Sequence, residues 1–86
     1  METEFGEQIN VSHYKDLNIE PIDYIQANGL DFIEGNVVKY ISRHKRKNKD
    51  EDIKKVIDYA VLCLKHTYGY SDEDVIKYLT NKYTPF

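Results

Sequence analysis

At 86 residues, 41% of them hydrophobic and with a net charge of −3, the chain is one domain long and has no room for a second core. No 18-residue apolar run is present to span a bilayer, METEFGEQIN lacks the basic and apolar regions of a secretory signal, and the single Cys63 has no partner for a disulfide or a Cys/His metal site. The charge is uneven: Arg43, Lys45, Arg46, Lys47 and Lys49 fall within seven residues that hold no acid, while the rest carries seven cations against fifteen acids. One local basic spot argues against duplex nucleic acid, which is met by cations spread over a face, and favours a small phosphate-bearing ligand. The expected location is the cytosol.

Residues 1–12 show no clear period and read as a loosely structured N-terminal arm, with a short extended piece at INVSHY. The loop SHYKDLNIEPID then carries His13, Tyr14 and Lys15. Folded over the second helix, it would bring a titratable ring, a phenol and a cation to that helix. In PIDYIQANG, Pro21 suits a first helical position and Gly29 a stop. Asp31 with Glu34 three residues on can cap a second helix, Asp50-Glu51-Asp52 opens a third that Gly69 ends, and SDED at 71–74 is a capping box for a fourth reaching about Lys82. The product is an all-α domain, a small three- to four-helix bundle covering 1–86 as one unit with its helical core at 20–83.

On a helical wheel of the second helix, Ile33, Val37, Ile41 and His44 make an apolar stripe that predicts its core face, with Tyr40 at the edge. Asn36, Lys39, Arg43 and Lys47 line a separate polar stripe, expected to face a ligand. Gly35, Val38 and Ser42 form a small-residue strip where another helix can come close. In the third helix Ile53, Val56, Ile57, Ala60 and Leu64 form an apolar face, with Tyr59 and Leu62 beyond it, so YAVLCL is apolar nearly all round. That predicts a homo-oligomer through the helix at 51–68, and a small core residue at Cys63. Lys54, Asp58 and Lys65 are the remaining polar line, and Asp58 can pair with Lys54 or, across the helix interface, with Arg43.

SHYK, IEPIDYI, F with GNVVKYISRHKRKN, and EDIKKVIDYA together resemble a small phage-encoded helical family of largely unknown function. Its pattern is HY, I-E-x-I-D, F-x-x-G-N-x-x-K-Y-x-x-R, a Lys-rich turn and E-D-x-K-K-x-x-x-Y, matched here over about residues 12–62. The same stretch looks like a module of the nucleotide kinase of small lytic podophages. The resemblance implies that His13, Tyr14, Gly35, Asn36, Lys39, Tyr40, Arg43, Glu51, Asp52, Lys54 and Tyr59 are signature positions, without saying which are catalytic. Pro21 within the I-E-x-I-D segment, the extra helix after Gly69 and the lack of a further kinase-like region depart from that pattern, which puts transfer of kinase activity in doubt.

No Walker lysine loop, metal-binding carboxylate motif or nucleophile elbow occurs, so no metal site and no resident cofactor are expected. Any chemistry must rest on positioning and charge neutralisation. The expected ligand is a nucleotide or cyclic nucleotide held by His13, Tyr14, Lys15, Asn36, Lys39, Tyr40, Arg43 and Lys54. It is either sequestered or used in phosphoryl transfer, with Mg²⁺ and with Asp58 or His13 as the candidate base. The alternative is a phage protein that inhibits or redirects a host protein through an acidic surface rich in its eight tyrosines. Against both stands a structural account, in which last-turn cations merely complement the helix dipole and Asn36 serves the helix start.

Overall fold

The structure is a computed structural model, whose described residues are 17–83. The predicted arm at 1–12, the extended piece at INVSHY and the His13-Tyr14-Lys15 loop lie outside them. Among the described residues four helices follow one another, α1 (Pro21–Ala27), α2 (Phe32–Arg43), α3 (Asp50–Tyr68) and α4 (Asp72–Tyr83), with one 3₁₀ turn at His44–Arg46. Among the described residues there is no strand, and no helix is long and apolar enough to cross a membrane.

Each boundary has a local cause. Pro21 opens α1, whose backbone turns out through Gly29 at φ 63°, where the Gly29 and Leu30 amides donate to the Gln26 and Ile25 carbonyls. The predicted capping box of α2 is present in both directions: Glu34 N donates to Asp31 Oδ1 at 2.8 Å, and Asp31 N donates to Glu34 Oε1 at 3.0 Å. Gly69 ends α3 in the left-handed region, with the Tyr70 amide reaching back to Leu64 O. Ser71 and Asp74 then cap α4 reciprocally, each accepting from the other's backbone amide at 3.0 Å. α2 and α3 pack side by side as a helical hairpin.

The faces, however, differ from expectation. The buried residues of α2 are Gly35, Asn36, Lys39, Tyr40 and Arg43, and the one fully buried residue of α3 is Asp52. The stripe predicted to be core lies partly open, with Ile41 47% exposed and Ile33, Val37 and His44 only half-buried. Ile57 of α3 is 54% exposed, and Cys63, expected in the core, is half-buried with Sγ 3.8 Å from Thr67 Oγ1. Among the described residues the buried large hydrophobic side chains are Ile25, Tyr40 and Val75. The hairpin has turned most of its polar stripe inward, Lys47 excepted, because Arg43 there is the partner of Asp52, and Tyr40, from the edge of the apolar stripe, turns in with it to meet Tyr59.

Candidate functional site

The site is built where α2 ends and α3 begins. Arg43, 2% exposed in its side chain, and Asp52, at 0%, meet in a two-pronged pair: Nε donates to Oδ2 at 3.1 Å and Nη2 to Oδ1 at 3.2 Å. Asn48, in the connecting turn, donates its backbone amide to Oδ2 and its side-chain amide to Oδ1, both at 3.4 Å. Burial alone would raise the Asp52 pKa, but the hydrogen bonds and charge of Arg43, joined by the Asn48 donors, hold it below the ordinary value of 3.8. Asp52 is therefore a carboxylate throughout the neutral range, and it ties both helices to the turn between them.

Beside this pair stands an aromatic stack. The Tyr40 and Tyr59 rings lie 5.9 Å apart and nearly parallel, at 16°, and Phe32 meets Tyr59 edge-on at 6.2 Å. Three cations converge on Tyr40: Lys39 Nζ at 4.2 Å from the ring centroid, Arg43 Cζ at 4.7 Å and Lys55 Nζ at 4.9 Å. Such contacts are worth about 0.5 to 2 kcal/mol each, more as water is removed. Lys39 is 1% exposed and Lys55 half-buried. Asn36, also 1% exposed, donates Nδ2 to Phe32 O at 2.8 Å, holding its amide against the first turn of its own helix.

Of the sequence-predicted ligand residues, Asn36, Lys39, Tyr40 and Arg43 share this buried face, while His13, Tyr14 and Lys15 lie outside the described residues. Lys54 stands apart: exposed, it bonds Glu51 at 3.1 Å and lies 3.9 Å from Asp50, and the Glu51 hydrogen bond raises its pKa. Asp58, the candidate base, is exposed, and Lys47, placed by the sequence in the same stripe as Arg43, is exposed too. Arg43 pairs with Asp52 and not with Asp58, because Asp52, Lys55 and Tyr59, at i, i+3 and i+7, form the face of α3 turned toward α2. That spacing could have singled out Lys55 over Lys54. Three consecutive acids in a first turn ordinarily read as dipole-complementing residues, which hid Asp52.

Chemically, the arrangement gathers three cations and one carboxylate around a buried aromatic stack. Among the described residues no three of His, Cys, Asp or Glu are grouped as a metal site. Comparison with curated proteins and with solved structures gave no match. One family model does match, over residues 9–61, a span that contains every residue of the Tyr40 cluster and stops before α4. The chain belongs to the DUF3310 family, whose proteins are of unknown function.

Proposed function

We propose that this is a phage protein that binds a nucleotide or nucleotide-like phosphate ligand at the Tyr40 cluster. The observation that carries the reading is the convergence of Lys39, Arg43 and Lys55 on one buried ring. Partly desolvated cations attract a phosphate more strongly than hydrated ones, and the aromatic stack beside them offers apolar contact to a base. Lys39 and Lys55 are the proposed phosphate contacts, and Arg43, paired with Asp52, a positioning residue. Turnover is left open, since one candidate base, Asp58, is exposed to solvent and the other, His13, lies outside the described residues; in phosphoryl transfer, Mg²⁺ would be held chiefly by the ligand's own phosphates. The reading includes self-association through α3.

A thermal-shift panel of nucleoside mono-, di- and triphosphates and cyclic dinucleotides tests it, because a ligand at a hundred times its Kd adds about 2.7 kcal/mol of stability. A hit is expected, and a turnover assay with Mg²⁺ then separates enzyme from sequestering binder. A flat panel sinks the reading. It would favour the second one, a protein that engages a host partner, for which the exposed Tyr24, Tyr68, Tyr70 and Tyr78 are the supporting observation.

A further inference from the structure

We propose that two copies of the chain pair through the apolar face of the α2–α3 hairpin, with their α3 helices antiparallel, so that the basic turn of each lies against the acidic start of α4 in the other. The proposal rests on self-association and adds its face and its direction.

The face is where the two apolar stripes lie side by side. Ile53, Ile57, Ala60 and Leu64 recur along α3 at intervals of four, three and four residues, the spacing of a seam that packs against another helix. Ile57 and Ala60 are exposed, Ile53 and Leu64 half-buried. Between this seam and α2 runs an open groove of about 490 Å³, lined by Val37, Val38, Ala60, Cys63 and Leu64. A seam of helical period beside an apolar groove fits a helix, and small Ala60 near its middle allows close approach. A second α2–α3 hairpin supplies such a helix, and two hairpins face to face make a four-helix bundle, whose apolar faces then cover each other.

Charge sets the direction. Exposed Lys45, Arg46, Lys47 and Lys49 lie just before α3 and outnumber exposed Asp50 and Glu51 in its first turn, while exposed Asp72, Glu73 and Asp74 lie just after it, Asp72 paired with Lys65 of the same copy. The 19 residues of α3, rising about 1.5 Å each, put about 28 Å between these ends. A parallel pair would set like charges beside each other at both ends, whereas an antiparallel pair matches basic to acidic twice.

Sedimentation equilibrium of the full chain, with circular dichroism as a check on folding, reads the outcome. The wild type should be a dimer at micromolar concentration. Ile57→Asp should raise the dimer Kd about a hundredfold or more, with helicity kept, since the residue is 54% exposed in one copy and would become a buried unpaired carboxylate only in the pair. Should that variant unfold, Ile41→Asp probes the same face. Glu73→Lys should weaken the dimer several-fold, and adding Lys47→Glu should restore it. A monomeric wild type overturns self-association and leaves the face to a partner of different sequence. A dimer indifferent to both aspartate variants keeps self-association and overturns the face; failure of Lys47→Glu to rescue overturns the direction.

Discussion

The two ends of α3 are built from opposite materials. At its start, Asp52, Arg43, Asn48 and the Tyr40–Tyr59 stack form a buried polar and aromatic joint in which nearly every group has a fixed partner. Past its middle, Ala60, Tyr68, Tyr70, Ile76 and Leu79 stand exposed, and α4 is held by a Gly69 turn, a cap, the buried Val75 and the Lys65–Asp72 pair at 2.7 Å. The first end finds its partners among the described residues; at the second, those apolar side chains are exposed. Hydrophobicity alone would assign these roles the other way round, and the difference shows that in so small a domain directional bonds can decide which face turns inward.

Removing one side of the joint should have the largest effect. Asp52→Ala leaves a buried guanidinium without its carboxylate and should cost about 3 to 5 kcal/mol in urea unfolding, whereas replacing Arg43 and Asp52 together by leucine should recover most of that loss. If the single and double replacements cost the same, the pair is not what pins the hairpin. Acid gives an independent reading. The folded pKa of Asp52 lies below 3.8, so its contribution is fully present above that value and is lost as pH falls through the folded one. The urea midpoint of the wild type should therefore drop on acidification more steeply than that of Asp52→Asn, and parallel pH profiles would contradict the assignment.

The next effect concerns what the polar end is for. Lys39→Met and Lys55→Met keep the apolar stems that pack on the joint but remove the charges beside Tyr40. Each should lose on the order of 1.5 to 3 kcal/mol of nucleotide binding by calorimetry, the range for a charged hydrogen bond. Lys54→Met and Lys47→Ala, exposed and away from the ring, should bind as the wild type does. Equal losses at all four positions would mean general attraction to lysine side chains, with no site at Tyr40.

Most of the fold was legible because its signals are local. Asp31 with Glu34, Ser71 with Asp74, Pro21, Gly29 and Gly69 each act within a turn of where they sit, and each marks the boundary it predicts. The grouping of Asn36, Lys39 and Arg43 was legible too, as one polar stripe of a helix, although Tyr40, read at the edge of the apolar stripe, joins them and Lys47 does not. Which side faces inward was not. Ile33, Val37 and Ile41 do recur with a helical period, but a covering partner and the chain's own core produce the same pattern. The pairing of Arg43 with Asp52 depends on how the chain turns through residues 44–49 between two helices, and no periodicity encodes that.

The turn itself offers the smallest and most specific test. Lys49 has φ 55° and ψ −125°, and it is the one non-glycine residue with positive φ among those described. A side chain there meets steric cost of about 1 to 3 kcal/mol, tolerated only where the surroundings impose the conformation. Here the imposition is visible on both sides: the Lys49 amide donates to His44 O at 2.8 Å, and neighbouring Asn48 is held by Asp52. Lys49→Gly relieves the strain but adds freedom to the unfolded chain and gives up the Nζ bond to Lys45 O. The expected balance is a gain of about 1 kcal/mol in urea unfolding. If the joint is what forces the strain, that gain should shrink in the Arg43→Leu/Asp52→Leu background, where the turn is free to relax. A gain of the same size in both backgrounds would mean that the turn adopts its shape without help from the buried pair.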